Sequence, residues 1–452
     1  MAQNAFTIQT PIAVDRVADL CRLLDGIGDD IKGNPHIPFP SFDRLHYASF
    51  VVFDADPQEP YLLFEGNIDG PVPDFLRTLV TRAGPGMAAI YQHCAGCPVS
   101  HGEELVDYLL GHDIGPGAFY VAWPGHTVST IREEQLLHER ISTFLDGQRV
   151  SSDIAHLQPA ELRRRIQEFV RSDPELAGTL EPVPRPFLVR YGYAITAALV
   201  APIVIGLLMV VKTALSPWSS RTKRFVARKA LLVLGGLVGG LAAVLRFHEI
   251  RDDRRVAARK PDWQTRYSNW SDALGHVVER EDRQLQNHLA SLTWVKPGRF
   301  RLTLLNAVFA AVILSVRLVA NRGKLGFIGS VHFARWVVTP DDKSLIFLSN
   351  FDGSWESYLN DFIDLAYFGL NAVWSNTDND IGFPPTRFLA FGGAQDEQRF
   401  KAYARYSQFR SRVWYSAYPG LTVPNIRTNM KIRRDLFTTL DEEDTDAWLR
   451  LL

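Results

Sequence analysis

The segment Ser344–Ser354, SLIFLSNFDGS, is a short apolar strand that leads directly into an Asn-Phe-Asp-Gly turn. The same pattern occurs earlier in the chain, at Tyr61–Pro71, as YLLFEGNIDGP. A second related pair is FYVAWPGHTVSTIR at Phe119–Arg132 and WYSAYPGLTVPNIR at Trp414–Arg427. Because both pairs occur in the same order, they indicate an internal duplication with a long insert between its two copies.

Each copy predicts the element order strand, helix, strand, strand, helix, strand, followed by a trailing helix. The strands expected in the first copy are Ala5–Ile12, Leu45–Phe53, Tyr61–Ile68 and Gly117–Trp123. Those expected in the second copy are His288–Gly298, Val331–Thr339, Leu345–Phe351 and Arg412–Tyr418. This βαββαβ order is that of the ferredoxin-like unit. Two such units can cover each other's open sheet faces, which predicts an α+β fold with an intrachain dimeric α+β barrel.

The resulting domain organisation has five segments. We expect a first ferredoxin-like unit at 1–150, a charged and Pro-rich linker at 151–187, a membrane helical hairpin at 188–246, a helical connector at 247–289 and a second ferredoxin-like unit at 290–452. A chain of 452 residues is long enough for several cores.

Composition narrows the classes of partner and compartment. The chain carries 49 Lys and Arg against 50 Asp and Glu, a net charge of -1, so no overall field favours nucleic acid. Its 3 cysteines are too few for a disulfide-built secreted scaffold. The N-terminus lacks the charged and apolar regions of a secretory signal. These features favour a reducing, cytoplasm-facing location. Together with the apolar hairpin described next, they predict a membrane protein whose two ferredoxin-like units lie on the cytoplasmic side.

Two neighbouring apolar runs predict the hairpin. Leu188–Val211 contains Arg190 as its single charge, and Ala230–Leu245 contains none. Basic residues flank both ends, so the hairpin either crosses the bilayer or dips into it, and a buried soluble hairpin is the alternative. Two overlapping small-xxx-small pairs, Gly235/Gly239 and Gly236/Gly240, suit helix–helix self-association. The apolar segment Phe300–Val319 lies between two strands of one copy, so we expect it to pack on the sheet.

The repeated turns carry the first candidate site residues. Asn and Asp favour turns, Gly permits positive φ, and an Asp beside a helix start caps free N–H groups. This structural interpretation stands beside a functional one, in which Asp69 and Asp352 act as acids or bases. His46 and His332 occupy matching positions at the start of the second strand of each copy. Arg335 is matched by Ser49, an asymmetry expected if one copy alone retains a site.

Other motifs leave further alternatives open. His93, Cys94 and Cys97, with His101 nearby, suit either a metal cluster or a redox pair, but the second copy offers no counterpart. Arg132 and Arg427 follow the Pro-Gly turns and could bind an anion near a helix start, or pair with Asp69 and Asp352. The chain contains no phosphate-binding loop, nucleophile elbow or dinucleotide-binding fingerprint.

The duplicated pattern H-[FY]-A-x-[WF]-V-V, L-[LI]-F-x-x-N-x-D-G and [WY]-P-G-x-T-V-x-x-I-R resembles that of a group of bacterial membrane-associated proteins with duplicated ferredoxin-like units. At fold level it resembles the dimeric α+β barrel superfamily, which includes dye-decolourising peroxidases and chlorite dismutase-like haem proteins. Those peroxidases carry a G-x-x-D-G motif with its Asp beside the haem, and Gly66, Asp69 and Gly70 satisfy it. The resemblance implies haem as a cofactor and oxidative chemistry.

Two functional hypotheses follow. The first is a membrane-anchored oxidoreductase that acts on an apolar or lipid-derived small molecule between the units, with haem as the implied cofactor. Its catalytic candidates are Asp352, Arg335 and Asp69, and its cofactor-binding candidate is His332. The second is a non-catalytic membrane-associated module that binds a hydrophobic ligand or a partner protein. Both hypotheses make the lipid bilayer a partner.

Overall fold

The computed structural model describes residues 2–98, 102–150, 157–181, 183, 186–259, 263–271, 281–318, 324–325 and 328–452. The described chain is a mixed α+β structure with antiparallel sheets, which confirms the predicted class. Its principal strands are β1 (Gln3–Pro11), β2 (Leu45–Phe53), β3 (Tyr61–Asp69), β4 (Ala118–Val121), β5 (Gln286–Val295), β6 (Val331–Val338), β7 (Ser344–Asp352) and β8 (Ser411–Ser416).

The helices connect these strands and extend well beyond them. They are α1 (Val17–Asp29), α2 (Val72–Tyr91), α3 (Glu103–Gly111), α4 (Val128–Val150), α5 (Pro159–Ser172), α6 (Phe187–Leu215), α7 (Arg221–Arg259), α8 (Trp263–Ser271), α9 (Arg299–Leu318), α10 (Trp355–Trp374), α11 (Glu397–Tyr406), α12 (Val423–Asp435) and α13 (Glu442–Leu449). Helix α2 contains a kink at Ala83, where the backbone leaves helical geometry directly before Gly84-Pro85-Gly86.

The fourth strand of each copy is shared between the two sheets. Residues 112–114 pair with β1, since Gln9 N donates to His112 O at 3.0 Å, and the chain then continues as β4 beside β6 of the other copy. In the second copy, Gln408–Phe409 pairs with β5 and the chain continues as β8 beside β2. The sheet orders are β1-β3-β2-β8 and, after Gln408–Phe409, β5-β7-β6-β4. The two sheets are therefore joined at both edges.

Alternating side chains give each sheet two different faces. The outer faces pack under helices, as for Leu20, Leu24 and Ile27 on one face of α1. The inner faces meet each other in a separate apolar cluster, formed by Val51, Phe53, Leu63, Ala290, Leu292, Val337, Ile346 and Leu348. The two sheets thus share a core, and neither unit has an uncovered inner face.

A helical layer joins the ends of the two copies. Its apolar core comes from α4, α5, α12 and α13, with Leu137, Ile166 and Ile432 fully buried. Arg163 on α5 donates through Nη2 to the carbonyls of Asp435, Leu436 and Thr438, which satisfies free acceptors after the end of α12. Part of the segment expected as a linker is therefore an integral helix of the fold.

Helices α6 and α7 form the apolar hairpin. Among the described residues, three helices, α6, α7 and α9, are long and apolar enough to cross a membrane, and the most apolar windows of α6 and α7 are 0% buried. The basic segment between the two apolar runs, Lys212–Lys229, is mostly helical, because α7 runs unbroken from Arg221 through the second apolar run to Arg259. A Cβ on Gly235, Gly236, Gly239 or Gly240 would meet no described atom within 4 Å, so self-association through this stripe stays a prediction.

Helix α9 packs against the protein rather than standing apart. Arg301, Leu305, Phe309 and Val316 form its buried side, and its contacts include β4, α10 and α6. Gly192 on α6 lies so close to this helix that a Cβ there would be 2.2 Å from Leu318 O. This close approach fixes the beginning of α6 against α9, which places the root of the hairpin on the second unit.

The C-terminal end of α7, the second helix of the hairpin, is also fixed to the second unit. Glu249 on α7 is 1% exposed and accepts hydrogen bonds from the backbone N–H groups of Phe388 and Leu389, at 2.9 and 3.0 Å. Asp252, one turn later, accepts from Arg301 Nε on α9 at 2.9 Å. Because α7 crosses from the apolar region into these contacts without a break, the hairpin is rigidly attached at both ends.

Candidate functional site

The two copies hold matching histidine–aspartate pairs. His46 Nε2 lies 3.1 Å from Asp69 Oδ1, and the other oxygen of Asp69 accepts from Val128 N at 2.8 Å. In the second copy, His332 Nε2 lies 2.7 Å from Asp352 Oδ1, whose other oxygen accepts from Val423 N at 2.7 Å. The predicted residues are therefore brought together as two equivalent sites, one in each copy.

These contacts identify a structural duty for both aspartates. We expected them to cap the helix that follows the turn, but they cap the trailing helices α4 and α12, which begin at Val128 and Val423. Gly70 and Gly353, with φ of 88° and 80°, turn the chain away immediately after each carboxylate. A carboxylate at a helix N-terminus is favoured by both its hydrogen bond and the helix dipole.

We expect Asp352→Ala to lower the free energy of unfolding by about 1–2 kcal/mol, because α12 loses its cap and His332 its partner. Asp352→Asn should cost less, because its amide oxygen can still accept from Val423 N. Urea denaturation of the full chain in mild detergent measures both. Equal losses for the two variants would contradict the capping role and favour a role for the negative charge itself.

The first histidine also connects the two copies. His46 Nδ1 lies 2.8 Å from the Tyr418 hydroxyl, which belongs to the second unit. Burial and the nearby Asp69 raise the pKa of Tyr418 well above its ordinary value, so the phenol stays neutral. Gln286 Nε2 donates to Tyr418 O, as Gln3 Nε2 does to Trp123 O in the equivalent place. His46, Tyr418 and Gln286 are deeply buried.

A second polar cluster has no equivalent in the repeat. Glu65 on β3 is 0% exposed and pairs with Arg335 Nη2 at 2.6 Å and with His288 Nε2 at 3.0 Å. Ser49 also donates to Glu65 Oε1, at 3.1 Å. Arg335 further donates to Asn67 Oδ1 at 2.7 Å. This cluster therefore connects four strands, β2, β3, β5 and β6, from the two units.

The cluster is electrostatically self-contained. Burial would raise the pKa of Glu65, but Arg335, His288 and Ser49 together hold that pKa below its ordinary value. Burial lowers the pKa of Arg335, while Glu65 opposes this change. The carboxylate and the guanidinium therefore stabilise each other's charged form. Both partners are deeply buried, which argues for a scaffold rather than for a group presented to a substrate.

Sequence reasoning found Arg335 but missed Glu65 and His288. Alignment of the copies contained the signal, because Glu65 stands where the second copy has Leu348, and His288 where the first has Ala5. Three unmatched polar residues of complementary charge at inward-facing strand positions favour a mutual contact. Of these differences between the copies, only that between Arg335 and Ser49 entered the sequence-based prediction.

The residues present do not fit a haem between the sheets. His332 Nε2, the proposed ligand atom, is already bonded to Asp352 at 2.7 Å. Arg335 reaches across from the second sheet to the backbone oxygen of Gly66 at 3.2 Å, so the layer around the Gly-x-x-Asp-Gly sequence is filled. The apolar side chains of the two inner faces are likewise in mutual contact. The haem implied by the resemblance is therefore not supported by this interior.

The Cys94 and Cys97 pair does not form a metal site with its neighbours. Among the described residues, no group of three or more His, Cys, Asp or Glu side chains is placed to hold a metal ion, and His101 lies outside them. Burial raises the pKa of Cys94 to about 12 and also raises that of Cys97. Both thiols therefore stay protonated at neutral pH, which disfavours metal binding and thiolate chemistry.

A large cleft lies where both units meet the beginning of α6. Its accessible volume is about 710 Å³, within the range of small-molecule sites. The first unit contributes the turn after β4, the second contributes α12, and α6 contributes its first turn. The cleft is lined by Trp123, Pro124, His126, Thr179, Leu180, Glu181, Val183, Pro186, Val189, Arg190, Arg427, Met430, Lys431, Arg433, Arg434, Phe437 and Thr438.

The arginines that follow the two Pro-Gly turns, Arg132 and Arg427, differ in their contacts. Arg132 donates through Nη2 to Ala417 O at 2.9 Å, a contact between the units, and does not pair with Asp69. Arg427 is exposed, lines the cleft and has no hydrogen-bond or ion-pair partner in the described part of the chain. The second arginine is therefore the one available to bind an anion.

Compared with protein-family models, with curated proteins and with solved structures, the chain matches none of them.

Proposed function

We propose that this protein is a membrane-anchored binding module whose ligand site is the cleft between the two units and α6. The observation that carries the proposal is a cleft of about 710 Å³ at the root of an apolar hairpin, lined by both copies. The candidate catalytic residues Asp69, Asp352 and Arg335, in contrast, are engaged with the protein itself. Recognition is thus assigned to the cleft and structural support to the buried polar clusters.

In this proposal the two copies are ferredoxin-like units that together form an intrachain dimeric α+β barrel. The shared fourth strands and the filled interior support it, because they let each sheet serve as the partner of the other. The hairpin would cross the bilayer twice, with both units on the cytoplasmic side. The attachment of α6 and α7 to one unit supports a common side for both ends of the hairpin. An oxidoreductase reaction at Asp352, Arg335 and His332 stays a prediction.

The cleft predicts that an amphiphilic molecule co-purifies with the protein. We expect native mass spectrometry of the full chain, released from membranes in mild detergent, to detect one retained amphiphile. Val189→Trp should abolish at least nine-tenths of this retention, because the indole would fill the part of the cleft next to α6. Val14→Trp is the matched control, since Val14 is 53% exposed and does not line the cleft. Equal retention by the two variants would overturn the assignment of the site.

A further inference from the structure

We infer that the cleft binds an anionic amphiphile, a molecule with a phosphate-bearing headgroup and hydrocarbon chains; this inference rests on the proposed binding function. Five cationic residues and one acidic residue line the cleft: Arg190, Arg427, Lys431, Arg433, Arg434 and Glu181. Such an excess stands out in a chain whose net charge is -1. Guanidinium and ammonium groups are the usual protein donors to phosphate.

The cations of the cleft differ in how far the protein already uses them. Arg433 Nη2 donates to the carbonyls of Gly178 and Glu181, at 2.8 and 3.0 Å, and so fixes one wall. Arg434 pairs with its neighbour Asp435. Arg427 and Lys431 are exposed, and within the described residues neither has a hydrogen-bond or ion-pair partner. The positive charges of Arg427 and Lys431 are therefore uncompensated in the cleft, and Arg190 contacts the ring of Tyr191 without an ion-pair partner among the described residues.

The two uncompensated cations are also suitably arranged. Arg427 and Lys431 are four residues apart on α12, so both project from the same side of the helix. A single anionic group can contact two side chains at this spacing. Charge repulsion between like charges at this spacing is unfavourable in the empty cleft, and an anion relieves it. The arrangement is therefore better explained by a ligand than by the stability of α12.

The remaining lining suits hydrocarbon. Trp123, Val189, Met430 and Phe437 add apolar and aromatic surface to the same cleft. Aromatic side chains with a polar atom are favoured where one end of a site is apolar and the other is wet. A purely ionic ligand such as free phosphate would leave this surface without a partner. The combined lining therefore indicates a molecule that is charged at one end and apolar at the other.

The position of the cleft relative to the apolar helix supports the same ligand class. Val189 and Arg190 lie in the first turn of α6, at the beginning of the apolar run Leu188–Val211. Tyr191 and Tyr193, which are 41% and 49% exposed, follow at once and suit a membrane interface. One turn of helix rises by about 5 Å, so the cleft lies at the depth of lipid headgroups when the apolar run is embedded. A lipid can then enter sideways from the bilayer.

Titration of the full chain in a nonionic detergent tests this inference with three probes. They are a short-chain phosphatidylglycerol, a phosphatidylcholine with the same chains, and inorganic phosphate. We expect the anionic lipid to bind at least 10-fold more tightly than either of the other two. Arg427→Gln/Lys431→Gln should weaken its binding about 30-fold, which is the effect of two cations near an anionic surface. Added salt should reduce the difference between the two lipids.

The control variant Arg16→Gln/Lys32→Gln removes two exposed cations that do not line the cleft, and it should bind the anionic lipid unchanged. Equal affinity for the two lipids, unaffected by Arg427→Gln/Lys431→Gln, would overturn the anionic headgroup while leaving the binding function intact. Phosphate bound as tightly as the anionic lipid would overturn the amphiphile. Failure of both lipids to bind, with Val189→Trp also without effect on retention, would overturn the proposed function itself.

Discussion

Glu65→Leu is expected to lower the free energy of unfolding by about 3–5 kcal/mol, because Arg335 would keep a buried positive charge without its carboxylate. Arg335→Ser should cause a loss of similar size, since it leaves Glu65 buried with His288 and the Ser49 hydroxyl as its remaining partners. Leu and Ser are the residues that the other copy carries at these positions. Each single variant therefore introduces one of the two residues that the other copy carries, without the second. Urea denaturation in mild detergent gives both values.

The double variant Glu65→Leu/Arg335→Ser removes both charges together. We expect it to be more stable than either single variant by about 1–4 kcal/mol, because no uncompensated charge remains between the sheets. Lys343→Ser is the matched control, as it breaks the exposed Lys343–Asp341 pair and should cost less than about 1 kcal/mol. Losses that simply add in the double variant would show that Glu65 and Arg335 act independently, contrary to their contact.

Removal of the apolar hairpin should change the protein from membrane-bound to soluble. We expect replacement of residues 195–241 by a short Gly/Ser linker to move the protein from the membrane pellet to the supernatant. The deletion takes away most of the two apolar windows that are 0% buried, while the contacts of Gly192 and Glu249 with the second unit remain. Centrifugation of cell lysate followed by immunodetection measures the distribution.

Persistent pelleting of a folded deletion variant would instead identify α9 as a membrane anchor. Its most apolar window is 22% buried, and Leu314 on its outer side is 58% exposed. Adding Leu314→Glu to the deletion then separates the two anchors. If this charge releases the protein, α9 contributes to membrane binding; release by the deletion alone assigns the whole affinity to the hairpin.

Much of the fold is predictable from the repeated sequence. The strand Leu45–Phe53 matches the expected element residue for residue, because the pattern that predicts a strand is a local property of the sequence. The sharing of the fourth strands was not expected. Pairing of β8 with β2 depends on contacts between residues far apart in sequence, and periodicity carries no information about which strand is the neighbour.

The candidate site was predicted less completely. His332 and Asp352 were both named as candidates through their equivalence to His46 and Asp69, but neither their mutual contact nor the capping of the trailing helices was foreseen. Asp69 and Val128 are separated by two helices and a strand, so no local rule relates them. Arg427 was named as a residue that could bind an anion, but the cleft around it was missed, because it is formed by three distant segments whose other cations look like ordinary solvated charges in the sequence.

The shared fourth strand has a consequence for biosynthesis. During translation the first copy leaves the ribosome before the hairpin and well before β8. The edge of β2 that pairs with β8 therefore stays unpaired until β8 has been synthesised. An unpaired strand edge is a site of aggregation. The hairpin also emerges during this interval, so the first sheet can be completed only after the hairpin has been synthesised.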